Sequence, residues 1–389
     1  MSLGGALEVA VEAVREAGEI LRRDFHRPGG PRGHGDKAEA DVEAEKAIRA
    51  RLSSAFPAYA FLGEETGRAE GEPAAPLWLV DPNDGTRDYL KGRRGSAVSI
   101  GLLREGRPVL GVVFSFAYPD DRGDLFAWAE GEGPLTRNGR PAAARLPASL
   151  GPLDVVLVSA NGDRDPETNL RCVAPARYRT VPSIAHRLAL VAAGEAAAVV
   201  SLYAPGAWDY AAGQALLRAA GGRLLDQDGR EVTYGPDGAS RCERVFGGSG
   251  PVAERLSRER WSFRGRAAGE SAVFARLRPG EAVDDAGLLS RAQGCLLGQV
   301  AGDSLGSLVE FQPAEEIARR YPDGPRRLED GGTWNTLAGQ PTDDSELALA
   351  LSRAILEGGG FEPRREFEAY QAWRASGPFD VGTTVGAAL

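Results

Sequence analysis

Leu7, Val11, Val14, Leu21 and Phe25 recur at helical spacing with acids and arginines between them, which predicts an amphipathic helix over residues 3–25 packed on something larger. A second helix is expected over 41–55, with Ile48 and Leu52 turned inward. Between the two, Pro28-Gly29-Gly30-Pro31-Arg32-Gly33-His34-Gly35 holds too many breakers for regular structure and is expected to be mobile. The period then shortens. Strand-like runs follow at Tyr59–Leu62, Leu77–Val80, Ala97–Leu103, Val109–Phe116 and Leu125–Ala129, and Glu105-Gly106-Arg107 fits a hairpin turn. Further strands are expected at Val155–Ser159 and Ala197–Leu202, with helices over 184–193 and 209–220, the last stopped by Gly221-Gly222.

After Gly247-Gly248-Ser249-Gly250 the texture changes. Residues 251–285 are charged and poorly periodic, as in a tail helix with a linker, and from Leu288 onward the pattern is wholly helical. The expected organisation is therefore 1–250, 251–285 and 286–389. Gly294, Gly298, Gly302 and Gly306 would form a stripe on one helix. Each costs about 0.5–1 kcal/mol relative to alanine there, which predicts either very close helix approach or a break near Gly302-Asp303.

At 389 residues the chain is long enough for two well-buried cores. A net charge of −9 argues against coating a nucleic-acid polymer. Three cysteines without paired spacing exclude a disulfide framework and a cysteine zinc site, and suit a reducing cytoplasm. Glu8, Glu12 and Arg15 interrupt the N-terminus too early for a signal peptide, and no run reaches the roughly 18 apolar residues of a membrane span.

The chemistry concentrates at Trp78-Leu79-Val80-Asp81-Pro82-Asn83-Asp84-Gly85-Thr86, where an apolar run ends in two acids on what reads as a sharp turn. Hard oxygen ligands on a rigid turn suit Mg²⁺ shared with a phosphate. The Gly85 and Thr86 amides would open a helix and favour an anion. A helix-capping Asx turn has the same composition, so the partners elsewhere decide. They are Gly63-Glu64-Glu65 after a short strand, Trp208-Asp209 at the start of a small-residue helix able to pack tightly beneath a site, and Asp36 and Asp41 beside the glycine-rich loop.

With Gly63-Glu64-Glu65, Asp81-Pro82-Asn83-Asp84-Gly85-Thr86 and Trp208-Asp209 in this order, residues 5–260 resemble the inositol monophosphatase superfamily, which includes the bisphosphate nucleotidases. The resemblance implies an α/β layered sandwich with mixed sheets. By it, Glu64, Asp81 and the carbonyl of Asn83 hold one Mg²⁺, while Asp81, Asp84 and Asp209 hold a second. A third, weaker ion would sit near Glu64 and Asp41 through waters. Glu64 and Thr86 would orient the attacking water, Asp84 completes the catalytic set, and Gly85, Thr86 and Ser183 would bind phosphate.

The implied activity is Mg²⁺-dependent hydrolysis of a small phosphorylated substrate: an inositol phosphate, a nucleotide 3′-phosphate or a sugar phosphate. No membrane partner is implied, and a homodimer is compatible with it. Two departures point away from inositol. Leu202 stands where inositol-binding members carry a glutamate, and Gly35-Asp36-Lys37-Ala38-Glu39-Ala40-Asp41 replaces their Val-Thr segment.

Thr342-Asp343-Asp344-Ser345 before the helix Leu347–Leu356 reads first as an N-cap with acids in the first turn. Together with Gly302-Asp303, Glu310 and Ser376-Gly377-Pro378-Phe379-Asp380-Val381-Gly382-Thr383-Thr384, however, it resembles the all-helical ADP-ribosylglycohydrolase family. That likeness makes Thr342, Asp343 and Asp344 metal ligands and Glu310 a gating or ligand glutamate. The family's late Asp-x-Asp-Thr segment does not follow Thr384, so this all-α segment is expected to be truncated and to lack glycohydrolase activity by itself. The alternatives to the phosphatase are thus a glycohydrolase within a longer fusion, or a non-catalytic interaction module.

Overall fold

A computed structural model describes residues 3–142, 144–160, 166–203, 205–240, 242–261 and 286–389. The chain forms two compact units, Met1–Ala267 and Ala268–Leu389. The first opens with α1 (Leu3–Phe25), a short hairpin of β1 (Gly33–His34) and β2 (Lys37–Ala38), and α2 (Glu39–Ala55). The glycine-rich segment thus contains a two-stranded element, because Gly33, Gly35 and neighbouring glycines take the positive φ that the tight reversal needs. Next come β3 (Ala60–Gly63), β4 (Gly67–Ala69), β5 (Leu77–Asp84), the one-turn α3 (Thr86–Tyr89), β6 (Ala97–Arg104), β7 (Arg107–Ser115), β8 (Asp124–Ala129), β9 (Thr136–Arg137) and β10 (Arg140–Pro141). They form one mixed sheet in the order β10-β9-β8-β7-β6-β5-β3-β4, in which only β3 and β5 run parallel. The remainder is β11 (Val155–Val158), α4 (Pro166–Val173), β12 (Arg177–Thr180), α5 (Ile184–Ala192), β13 (Ala198–Ser201), α6 (Ala207–Ala219), β14 (Arg223–Asp226), β15 (Val245–Gly248) and α7 (Gly250–Arg258). Its strands form a second sheet, ordered β12-β11-β13-β15-β14.

Alternation along the strands explains the layers. On β5, Trp78 and Val80 enter a core with Val14, Leu21, Ile48 and Leu52 of α1 and α2, while Leu77 and Leu79 enter a second core with α5 and α6. On the second sheet, Leu157 and Val199 face that middle core, and Val156, Val158 and Val200 face a third beneath α4 and α7. Both faces of each sheet are covered, so the central strands read as unbroken apolar runs. The result is a helix–sheet–helix–sheet–helix sandwich. Its middle layer fits because α6 is built of small residues: a Cβ on Gly111 would stand 2.2 Å from the carbonyl oxygen of Ala212.

The second unit is helical: α8 (Ala286–Gly306), α9 (Ala314–Arg320), α10 (Asp343–Gly358), α11 (Pro363–Ala375) and α12 (Thr383–Ala388). Neither expectation for the glycine stripe holds. The helix α8 is unbroken to Gly306, and nothing lies within 4 Å of where a Cβ would stand on Gly294, Gly298, Gly302 or Gly306. Cys172, Cys242 and Cys295 are all free thiols. Among the described residues no helix is long and apolar enough to cross a membrane.

Candidate active site

The segment 81–84 is a bulged strand end rather than a turn. Asp81 pairs with Ser99 and Asp84 with Ala97, so β5 carries one residue more than β6 over this stretch. Such a bulge re-aims side chains at the rim of a sheet. The chain then turns at Gly85, whose φ of 98° excludes a β-carbon at low cost. Beside it, β3 ends at Gly63, and the buried Glu45 carboxylate accepts the amides of Glu65 (2.9 Å) and Thr66 (2.5 Å), fixing the turn that carries Glu64.

Glu64, Asp81, Asp84 and Asp209 reach one cleft of about 460 Å³ from three separate elements. A roomier recess of about 560 Å³ lies elsewhere, where Arg68 is paired with Glu70. In the cleft, one oxygen of each aspartate is anchored by the fold. Asp81 Oδ1 accepts the Asn83 amide (2.8 Å), and Asp209 Oδ2 accepts the Gly206 amide (2.8 Å). Asp84 Oδ2 accepts the Ser183 hydroxyl (2.6 Å) and the Ala185 amide (2.7 Å). Their charges crowd one another. Burial, then mutual repulsion, holds Asp81 and Asp209 well above the usual carboxylate range. Glu64, open to the cleft yet surrounded by protein, is pushed up to about 7, first by lost hydration and further by Glu65, Asp84 and Glu45.

Asp41 lies close by, with its carboxylate turned toward protein donors. It is 1% exposed, and both of its oxygens are engaged by protein. Oδ1 accepts Asn83 Nδ2 (2.9 Å), and Oδ2 lies 3.1 Å from Thr86 Oγ1. The Thr86 oxygen is also 2.9 Å from the Asn83 carbonyl, and its single proton serves one acceptor at a time. Burial outweighs these hydrogen bonds and pushes Asp41 up to about 7. The Asp41 carboxylate therefore holds Asn83 and Thr86 in place.

Ser183 also departs from expectation. It is fully buried, donates to Asp84 and accepts the His186 amide (2.9 Å), so its hydroxyl positions a carboxylate and does not line the cleft. Leu202 packs into the third core, leaving Ser201 and Tyr203 as the cleft residues of that segment. Arg187, which the sequence pattern hid within an apolar helix, lines the cleft from inside. Trp208 is half-buried, and its carbonyl accepts the Ser99 hydroxyl (3.0 Å).

These elements, in this order and around this cleft, have relatives. The inositol monophosphatase family model matches residues 5–261. The chain belongs to that family. It is 35% identical over 244 residues to an inositol-1-monophosphatase of Mesorhizobium japonicum, covering 59% of this chain and 88% of that protein. It is 31% identical over 253 residues to the Nus factor SuhB of Xylella fastidiosa, covering 62% and 90%. The crystal structure of the extragenic suppressor protein SuhB from Bartonella henselae superposes with a TM-score of 0.55 at 29% identity, covering 66% of this chain and 98% of that one. This member of the inositol monophosphatase family is accordingly a phosphatase. Residues 284–389 match the ADP-ribosylglycohydrolase family model.

In that second unit, Asp303 and not Thr342 caps α10. Its Oδ2 accepts the amides of Thr342 (3.0 Å) and Ser345 (3.1 Å), and its Oδ1 accepts the Thr342 hydroxyl (2.6 Å). Asp343 accepts the Gly382 amide (2.7 Å), and Glu310 accepts the indole N–H of Trp334 (2.9 Å). Burial, then Asp343, Glu310 and Asp303, raises Asp380 to about 6, so these acids share one neighbourhood. Burial and then Asp343 and Asp303 also raise Asp344. Among the described residues of either unit, no group of three or more His, Cys, Asp or Glu side chains is already drawn together around a metal position.

Proposed function

We propose that the first unit is a divalent-cation-dependent phosphomonoesterase acting on a small phosphate ester. The observation that carries the reading is the convergence of Glu64, Asp81, Asp84 and Asp209 on one cleft beside the Thr86–Asp41 pair. The donor set fits a hard cation. Each anchored aspartate leaves its second oxygen toward its acidic neighbours, and the buried Asn83 Oδ1 has no protein partner. All-oxygen ligands of this charge suit Mg²⁺. Glu64, Asp81 and the Asn83 carbonyl would hold one ion, and Asp81, Asp84 and Asp209 a second; Asp41, with both oxygens engaged, would ligate neither. When bound, such ions supply Lewis acidity toward the attacking water and the ester oxygens.

The protein's own part would be to bind the phosphate, orient the water and take up a proton. On this reading the Gly85 and Thr86 amides bind the phosphate where the chain turns from β5 into α3. Glu64 and Thr86 orient the water for in-line attack, and Asp41, with its raised affinity for a proton, receives one relayed through the Thr86 hydroxyl. Ser183 and the Ala185 amide keep Asp84 from turning away. The test is Mg²⁺-dependent phosphate release from inositol monophosphates, nucleotide 3′-phosphates and sugar phosphates. Loss of release in Asp84→Asn without unfolding is the expected result, and unchanged activity in that variant would overturn the proposal.

A further inference from the structure

The cleft also carries a cation, near Asp84. Arg187 sits on the first turn of α5, is 2% exposed, and lines the cleft with Ser159, Ser201 and Tyr203. Its guanidinium is held rather than neutralised. Nε donates to the Ser183 carbonyl (3.2 Å) and Nη1 to the Val200 carbonyl (2.5 Å), and the charge of Asp84 acts on it through space without a salt bridge. Burying an arginine without a paired carboxylate is costly, and the two carbonyls use only part of its five-donor fork. At the rim, Arg87 adds a second positive group, tethered to Asp36 at 3.2 Å. Leu202, the residue after Ser201, points into the third core, so no acid from that position enters the cleft.

Hydroxyl groups on a leaving alcohol need acceptors as much as donors. A fixed guanidinium offers donors only, in the fork geometry that fits a phosphate or a carboxylate. We propose that Arg187 is a specificity-determining residue that selects phosphate monoesters whose alcohol carries a second anionic group. The scissile phosphate would lie among the acids and the cations they hold, and the second anion would meet the guanidinium of Arg187. This rests on the phosphomonoesterase reading of the same cleft.

The experiment compares substrates that differ only in the second anion. 2-Phosphoglycerate is set against glycerol 2-phosphate, and adenosine 3′,5′-bisphosphate against adenosine 3′-monophosphate, on the full chain with Mg²⁺. The first pair tests a carboxylate and the second a phosphate. The wild type is expected to favour at least one anionic member by tenfold or more in kcat/KM, mainly through KM. In Arg187→Met that ratio falls to within about threefold of unity whatever the absolute rates do, and Arg187→Lys keeps an intermediate ratio. Circular dichroism and thermal unfolding establish that each variant folds. Equal wild-type rates on both members of both pairs would overturn the inference while leaving the phosphatase reading intact. A ratio unchanged in Arg187→Met, with every rate lowered alike, would make Arg187 a support for Asp84 and also overturn it. Should no ester be hydrolysed, the phosphatase reading fails, and calorimetric titration with adenosine 3′,5′-bisphosphate still decides. Binding weakened tenfold or more by Arg187→Met upholds the contact, and equal binding or none by the wild type rejects it.

Discussion

Gly101 and Gly111 are paired across β6 and β7, and both lie under the Ala212 peptide of α6, three residues beyond Asp209. A Cβ at Gly111 would stand 2.2 Å from the Ala212 carbonyl oxygen, with backbone rather than a flexible side chain in its way. Carbon and oxygen settle near 3.5 Å, so in Gly111→Ala the helix must retreat by about 1.3 Å. Overpacking of this kind costs about 1–3 kcal/mol, and rigid backbone on both sides puts this case at the upper end. For a unit of this size about 3 kcal/mol lowers the melting temperature by roughly 6–12 °C. The same retreat displaces Asp209 by about 1 Å, enough for roughly a hundredfold loss of turnover. Calorimetry on the full chain and phosphate release under saturating Mg²⁺ measure the two effects. Gly5→Ala is the control: nothing lies within 4 Å of its Cβ position in α1, so it is expected to be about 0.5–1 kcal/mol more stable. If Gly111→Ala melted within about 2 °C of wild type with undiminished turnover, the close seating of α6 would not be what holds the site.

Three further outcomes are expected. Asp41→Asn should lower kcat by roughly 10²–10⁴-fold while leaving the Mg²⁺ dependence of the residual rate in place, because Asp41 holds Thr86 and Asn83; a shifted metal requirement with normal kcat would contradict this. Mg²⁺ at about a hundred times its dissociation constant should stabilise the wild type by about 2.7 kcal/mol, whereas Asp209→Asn should melt higher than wild type in EDTA and gain little from Mg²⁺, since one of the crowded charges is gone. Burial alone would raise Asp24, but hydrogen bonds from Arg32 and Tyr89 overrule it and hold the carboxyl below 3.8. Its contribution is therefore complete above that value and lost as pH falls through the depressed native one. Asp24→Asn should cost about 1.5–3 kcal/mol at pH 7, with the gap to wild type closing under acid unfolding below about pH 4.

Much of this was legible from residue order, and the failures have identifiable causes. The helix over 3–25 announced itself by a regular apolar period on one face, and the strands around 77–80, 97–103 and 109–116 by apolar runs buried on both sides. Glu64, Asp81 and Asp84 stood out because they close apolar strand runs, and Asp209 because it opens a helix of small residues. The tasks of Asp41 and Ser183 did not, since their partners lie 42 to 99 positions away and only folding brings them together. Arg187 was hidden by its neighbours: one cation in Ile184–Ala192 resembles a surface position until the helix is seen to be buried on all sides. The glycine stripe of α8 misled for the opposite reason, as a periodic signal that no packing contact accompanies.

The four acids of the cleft come from positions 64, 81, 84 and 209, on elements belonging to both sides of the middle core. During synthesis the first three emerge long before the fourth. A nascent chain that has reached β8 can already pair β3 to β8 over α1 and α2, yet it lacks Asp209. The ion proposed for Asp81, Asp84 and Asp209 would thus bind only after α6 has seated against Gly101 and Gly111, so its loading would report that the middle helix layer has met the first sheet. On the proposed two-ion reading, occupancy of that second position would be a readout of the docking of α6, and turnover of phosphate would wait for the middle layer to close.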